Sequence, residues 1–119
     1  MEDQDTISHV VPTINERNEF VRSLKKGRIL IVKAYANWCG PCKKISPLVD
    51  RLISRMPANV KIMYLDVDKG QDLANYLKIT SIPTFISYIN KDKADILISA
   101  DEEHVRKFFR KVEAYNFLK

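Results

Sequence analysis

The strongest constraint on the fold is a strand-like run followed by a long helix-like pattern. Ile29 to Ala36 is apolar and rich in β-branched residues, as a strand covered on both faces is. Ile45, Leu48, Val49, Leu52, Ile53 and Met56 then recur at i, i+3, i+4, i+7, i+8 and i+11, which is one face of a helix. Pro47 lies inside that pattern and predicts a kink. Val60 to Val67 reads as a second strand. A strand, a long helix and a strand in succession predict parallel pairing of the two strands.

The remaining segments extend this unit. Thr6 to Val11 reads as a short edge strand. Thr13 with Glu16 three residues later is a capping-box signature. A helix is expected to follow, burying Phe20, Val21 and Leu24 and ending at Gly27. Leu73, Tyr76 and Leu77 mark a short helix. Thr84 to Ile89 and Ala94 to Ile98 are expected to form a hairpin around Asn90-Lys91-Asp92-Lys93. A last helix buries Val105, Phe108, Phe109 and Val112. Its acidic start at Asp101, Glu102 and Glu103 and its basic later turns predict a dipole matched at both ends. The order β-α-β-α-β-α-β-β-α predicts an α/β fold: a central mixed sheet, mostly parallel with an antiparallel C-terminal hairpin, flanked by helices on both faces.

At 119 residues the chain is expected to be one domain, with residues 1–5 a polar tail and residues 115–119 a short C-terminal extension. Hydrophobic residues at 45% exclude a disordered chain, and two cysteines exclude a disulfide scaffold. No apolar run approaches the ~20 residues of a membrane span, and the acidic start, Met1 to Asp5, is unlike a signal peptide. The cytoplasm is the expected location. The net charge of +5 is spread among interleaved acidic residues, with no helix-turn-helix or zinc-finger pattern, so neither nucleic acid nor membrane is an expected partner.

Trp38-Cys39-Gly40-Pro41-Cys42-Lys43 follows the buried strand and opens the long helix. A C-x-x-C in this context reads as a redox motif. Zinc is the rival reading, but it needs four ligands, and only His9 and His104, both distant in sequence, supplement the cysteines. The motif, Pro47 five residues after Cys42, and Ile82-Pro83-Thr84 before the hairpin together resemble the thioredoxin family over nearly the whole chain.

The resemblance implies a thiol–disulfide oxidoreductase that reduces protein disulfides. Cys39 would be the nucleophile, its thiolate favoured at a helix N-terminus, and Cys42 the resolving thiol, the more buried of the two. Gly40 and Pro41 between the cysteines resemble a reductase rather than an isomerase, and Pro41 suits a first helical turn. The resemblance makes Trp38 an exposed platform beside Cys39, and Ile82-Pro83-Thr84 a cis-proline segment that pairs with an extended substrate. It implies no bound cofactor, disulfide-containing protein substrates, a monomer, and electrons from a flavin-containing, NADPH-dependent thioredoxin reductase. Asp68 is expected to cap the next helix or face solvent, and His9 and His104 to be ordinary surface residues.

Two departures from the family stand out. Lys33, six positions before Cys39, occupies a place where thioredoxins usually bury an aspartate, and Tyr64 stands where that aspartate's lysine partner usually lies. Lys33 then snorkels to water, or stays charged near the sulfurs and weakens the reductant, or loses its proton and serves as a base. The second departure is lost glycine: Lys91-Asp92 and Ser99-Ala100 stand where the family usually has it. These departures keep open an alternative, a thioredoxin-like binding module with weak or altered redox activity.

Overall fold

A computed structural model describes residues 11–117. The elements in order are α1 (Arg17–Lys26), β1 (Ile29–Tyr35), α2 (Gly40–Ser54), β2 (Val60–Asp66), α3 (Gln71–Tyr76), β3 (Thr84–Ile89), β4 (Asp92–Ile98) and α4 (Glu102–Phe117). Most of the edge strand expected at residues 6–11 lies outside the described residues. The sheet order is β2-β1-β3-β4.

β1 and β2 run parallel, with Ile29 opposite Val60 and Lys33 opposite Tyr64. The 15 residues of α2 span about 22 Å. Each seven-residue strand spans about 23 Å. The helix therefore returns the chain to the starting edge, as a parallel crossover requires. α3 has six residues and spans only about 9 Å. It does not carry the chain back along the sheet, and β3 enters antiparallel to β1. β4 is antiparallel to β3. The sheet is mixed, as expected, but among the described strands it is not mostly parallel.

Alternation along β1 divides the core. Ile29 and Ile31 pack with the apolar face of α2 and with Val105, Phe108, Phe109 and Val112 of α4. Leu30, Val32 and Ala34 pack on the other side with Phe20 of α1 and Leu73 and Ala74 of α3. Each such fully buried large apolar side chain contributes roughly 1.5–3 kcal/mol. Helices thus cover both faces of the sheet, and β1 is buried from Ile29 to Ala34. Among the described residues no helix is long and apolar enough to cross a membrane.

Several local expectations are corrected. The Thr13–Glu16 capping box does not form: Glu16 is the N-cap of α1 and makes no side-chain cap bond. Thr13 instead bridges to Tyr64, with Ile14 N donating to Tyr64 O at 2.8 Å and Tyr64 N to Pro12 O at 2.9 Å. Pairing with the sheet edge holds the segment on either side of Thr13 extended along β2, through Pro12 O and Ile14 N. The hairpin turn is tighter than expected, since β4 begins at Asp92. Asn90 and Lys91 carry the turn with φ of 52° and 75°. α4 has acidic residues in its first turn but no basic residue in its last. It runs on through the C-terminal extension to Phe117, leaving Arg110 and Lys111 mid-helix. There Tyr115 O accepts from Arg28 Nη1 at 3.1 Å, and Asn59 Nδ2 donates to Asn116 Oδ1 at 2.9 Å. Residues 115–117 of the extension are therefore a helix end tied to the body.

Candidate active site

The chain leaves β1 at Tyr35, turns through Ala36 to Trp38, and enters α2. Cys39 N donates to Ala36 O at 3.1 Å, closing that turn. Cys39 is the N-cap of α2, and Pro41 occupies the first helical turn, where no N–H is needed. The Cys39 Sγ accepts from Cys42 N at 3.1 Å. The first four amides of a helix lack intrahelical acceptors, and their summed dipole is positive there. A sulfur in this place meets one of those N–H groups and the positive helix end, which favour its thiolate. No acidic side chain lies in the first turn to oppose this.

Cys39 and Cys42 are joined by a disulfide, with Cα atoms 5.3 Å apart. The expectation that Cys42 is the more buried is corrected: both residues are 4% exposed. Both cysteines belong to one small apolar cluster with Ala36, against which Tyr35, Val67 and Ile82 pack. The surface above remains open, because Trp38, Gly40 and Pro41 are exposed. Nothing lies within 4 Å of where a Gly40 side chain would begin.

Trp38 is 68% exposed, and its Nε1 donates to Asp68 Oδ2 at 2.8 Å. Asp68 faces solvent, as expected, but does not cap α3, whose N-cap is Gly70. Asp66 holds the loop that presents Asp68. Its buried Oδ1 accepts from Asp68 N at 3.0 Å and from Lys69 N at 3.3 Å. The role of Asp66 was missed in the sequence, although an Asp-x-Asp after a strand is an Asx-turn signature.

The Ile82–Pro83 peptide bond is cis. Ile82 packs on the cysteine cluster, which brings a segment 40 residues from Cys42 to the site. Pro83 and Thr84 are buried, and the Thr84 hydroxyl donates to Ser81 O.

Lys33 does not snorkel to water: it is 5% exposed. Its Nζ lies 5.4 Å from the centroid of the Tyr64 ring. Burial holds its pKa below the ordinary lysine value, and the Asp50 carboxylate partly opposes that. Tyr64 donates to Asp50 Oδ1 at 3.3 Å. Burial, with Asp50 second, pushes the Tyr64 phenol up to about 12. His104 is an exposed residue whose Nδ1 lies 3.0 Å from Ser99 Oγ. Among the described residues no group of three His, Cys, Asp or Glu side chains could hold a metal ion.

Comparison with known proteins agrees with this geometry. The sequence matches the thioredoxin family model over residues 10–111. It is 32% identical over 103 residues to a thioredoxin of Coprinus comatus, covering 86% of this chain and 97% of that one. It is 30% identical over 105 residues to thioredoxin 1 of Plasmodium falciparum, covering 88% of this chain and all of the other. The oxidised mitochondrial thioredoxin 3 of Saccharomyces cerevisiae superposes with a TM-score of 0.79 at 28% identity, covering 91% of this chain and 99% of that one. These relatives and the formed cysteine pair favour redox chemistry over the binding-module alternative. The chain needs no bound cofactor for that chemistry, and disulfide-containing proteins are its substrates. It belongs to the thioredoxin family and is a thiol–disulfide oxidoreductase with the fold of that family.

Proposed function

We propose that the chain acts as one domain and as a monomer that reduces protein disulfides, with Cys39 as nucleophile and Cys42 as resolving thiol. The single observation that supports these roles is the Cys39–Cys42 disulfide at the N-terminus of α2, beneath the exposed Trp38, Gly40 and Pro41. In the reduced protein the Cys39 thiolate attacks one sulfur of the target disulfide. A bond forms between Cys39 and that sulfur, and the other target sulfur leaves as a thiolate and takes a proton. Cys42 then gives up its proton and attacks Cys39 Sγ. The Cys39–Cys42 bond closes, and the second target thiol is released. The target gains two electrons and two protons: the cysteine pair gives both electrons and the Cys42 proton, and the other proton comes from solvent, which took it up when Cys39 ionised.

Trp38 and Ile82 border the place where the substrate segment lies, the buried Pro83 and Thr84 serve it by fixing the backbone that presents Ile82, and Gly40 and Pro41 keep the approach to the sulfurs open. Pro41 suits the reductase direction, because the isomerase-like relatives usually carry histidine there. The electron donor is an NADPH-dependent flavin thioredoxin reductase. The cytoplasm is the proposed compartment, since its thiol pools hold such a pair reduced.

The test is reduction of insulin disulfides by the prereduced protein, followed by recycling with NADPH and a thioredoxin reductase. The expected result is stoichiometric reduction without the reductase and repeated turnover with it. Absence of reduction by the wild-type dithiol refutes the reading.

A further inference from the structure

Lys33 and Asp66 are the two buried charged residues among those described. Asp66 accepts from two backbone amides. Lys33 makes no direct ion pair with any described residue. A buried ammonium without a close carboxylate is costly, so its surroundings matter. From β2, Tyr64 offers its ring face to Nζ at 5.4 Å. From α2, Asp50 supplies a more distant negative charge, exposed to water and bonded to the Tyr64 hydroxyl. From β3, the residue opposite Lys33 is the uncharged Phe85. Along β1, Tyr35 is the nearest titratable side chain on the same face, and its ring meets the Tyr64 ring edge-on at 6.1 Å. Tyr35 in turn packs against the cluster of Ala36, Cys39 and Cys42. A run of contacts on one side of β1 thus leads from the lysine through the Tyr64 and Tyr35 rings to the cysteine cluster.

We propose that Lys33 is a positioning residue for the redox pair: its ammonium, held by Tyr64 and Asp50, favours the reduced, ionised cysteines over the disulfide. The proposal rests on the thiolate reading of the Cys39–Cys42 pair. The couple takes up two electrons and one or two protons on going from disulfide to dithiol. The disulfide carries no charge and the thiolate carries one, so a nearby cation favours the reduced side. The expected coupling is roughly tenfold in the disulfide equilibrium, about 30 mV for a two-electron couple. Linkage is reciprocal, so the thiolate must hold the proton on Lys33 by the same factor.

Two measurements test this. The first is the reduction potential of the wild type, Lys33→Met and Lys33→Arg, equilibrated against a glutathione buffer. The Met variant is expected to become more reducing by about tenfold in the equilibrium constant, with a higher thiol titration, and the Arg variant to stay close to the wild type. The second needs no substitution and so survives any failure of the variants to fold. The Lys33 side chain of the wild type is titrated by NMR in the oxidised and reduced forms. Titration at a higher pH in the reduced form supports the coupling. An identical Lys33 titration in both forms, or a folded Lys33→Met variant with unchanged potential, overturns it. Insulin reduction by the wild type separates the two levels: its absence defeats the proposed function and leaves the Lys33 coupling to be decided by the potentials.

Discussion

Trp38 Nε1 donates a 2.8 Å hydrogen bond to Asp68 Oδ2, which ties the indole beside the cysteine pair to the loop after β2. The two residues are 30 positions apart, and both are exposed. Asp66 anchors the same loop from beneath. An exposed platform held at its tip loses little entropy when a substrate lies against it. Asp68→Ala is expected to slow target reduction roughly fivefold, the equivalent of about 1 kcal/mol for one hydrogen bond. The reduction potential is expected to change little, because the carboxylate removed is exposed and screened by water. An unchanged rate of insulin reduction in the variant contradicts this account of Trp38.

Two lysines hold backbone conformations that suit glycine. Lys78 has φ of 61° at the end of α3, and Lys91 has φ of 75° in the β3–β4 turn. A left-handed residue with a Cβ costs roughly 1–2 kcal/mol, and glycine recovers part of that against its greater unfolded entropy. Lys78→Gly and Lys91→Gly are each expected to raise stability by about 0.5–1 kcal/mol, and together by the sum. Urea midpoints check this; a loss of stability in either single variant contradicts it.

Much of this fold is legible in the sequence, for identifiable reasons. The Ile45–Met56 pattern announces α2 because a long helix packed on a sheet must repeat near 3.6 residues. The apolar run from Ile29 announces β1 because a strand covered on both faces needs no alternation. The cysteine spacing announces the disulfide because two intervening residues fit one helical turn. What is hidden depends on partners distant in sequence. Thr13 reads as a cap locally, but the edge of β2 claims its backbone. The family resemblance already sets Tyr64 against Lys33, but the Tyr64–Asp50 bond depends on how α2 lies over the sheet, and the Trp38–Asp68 bond depends on where the loop after β2 falls. The equal burial of Cys39 and Cys42 goes with the packing of Tyr35, Val67 and Ile82 on the pair, which spacing alone does not convey.

Alkaline stability is set in part by two phenols, the buried Tyr88 and the half-buried Tyr64. Burial pushes Tyr88 up to about 12, with Tyr76 as the lesser cause, and pushes Tyr64 up to about 12 as well. Between the unfolded value near 10 and the folded value near 12, the folded state binds more protons than the unfolded chain. Stability is therefore expected to fall as pH rises through that window. Tyr88→Phe removes one of the two titrating groups and is expected to flatten the loss. Denaturant midpoints across about pH 10 to 12 read the slope, and a Tyr88→Phe slope equal to that of the wild type contradicts the assignment.

The central claim is that Cys39 attacks and Cys42 resolves. It is tested most directly by the intact mass of a Cys42→Ser variant after incubation with a disulfide-bonded protein substrate. The expected product is one substrate chain held through a mixed disulfide at Cys39, stable until a reductant is added, and absent from a Cys39→Ser variant. A Cys42→Ser protein that forms no such adduct, or a Cys39→Ser protein that forms it as readily, contradicts the claim.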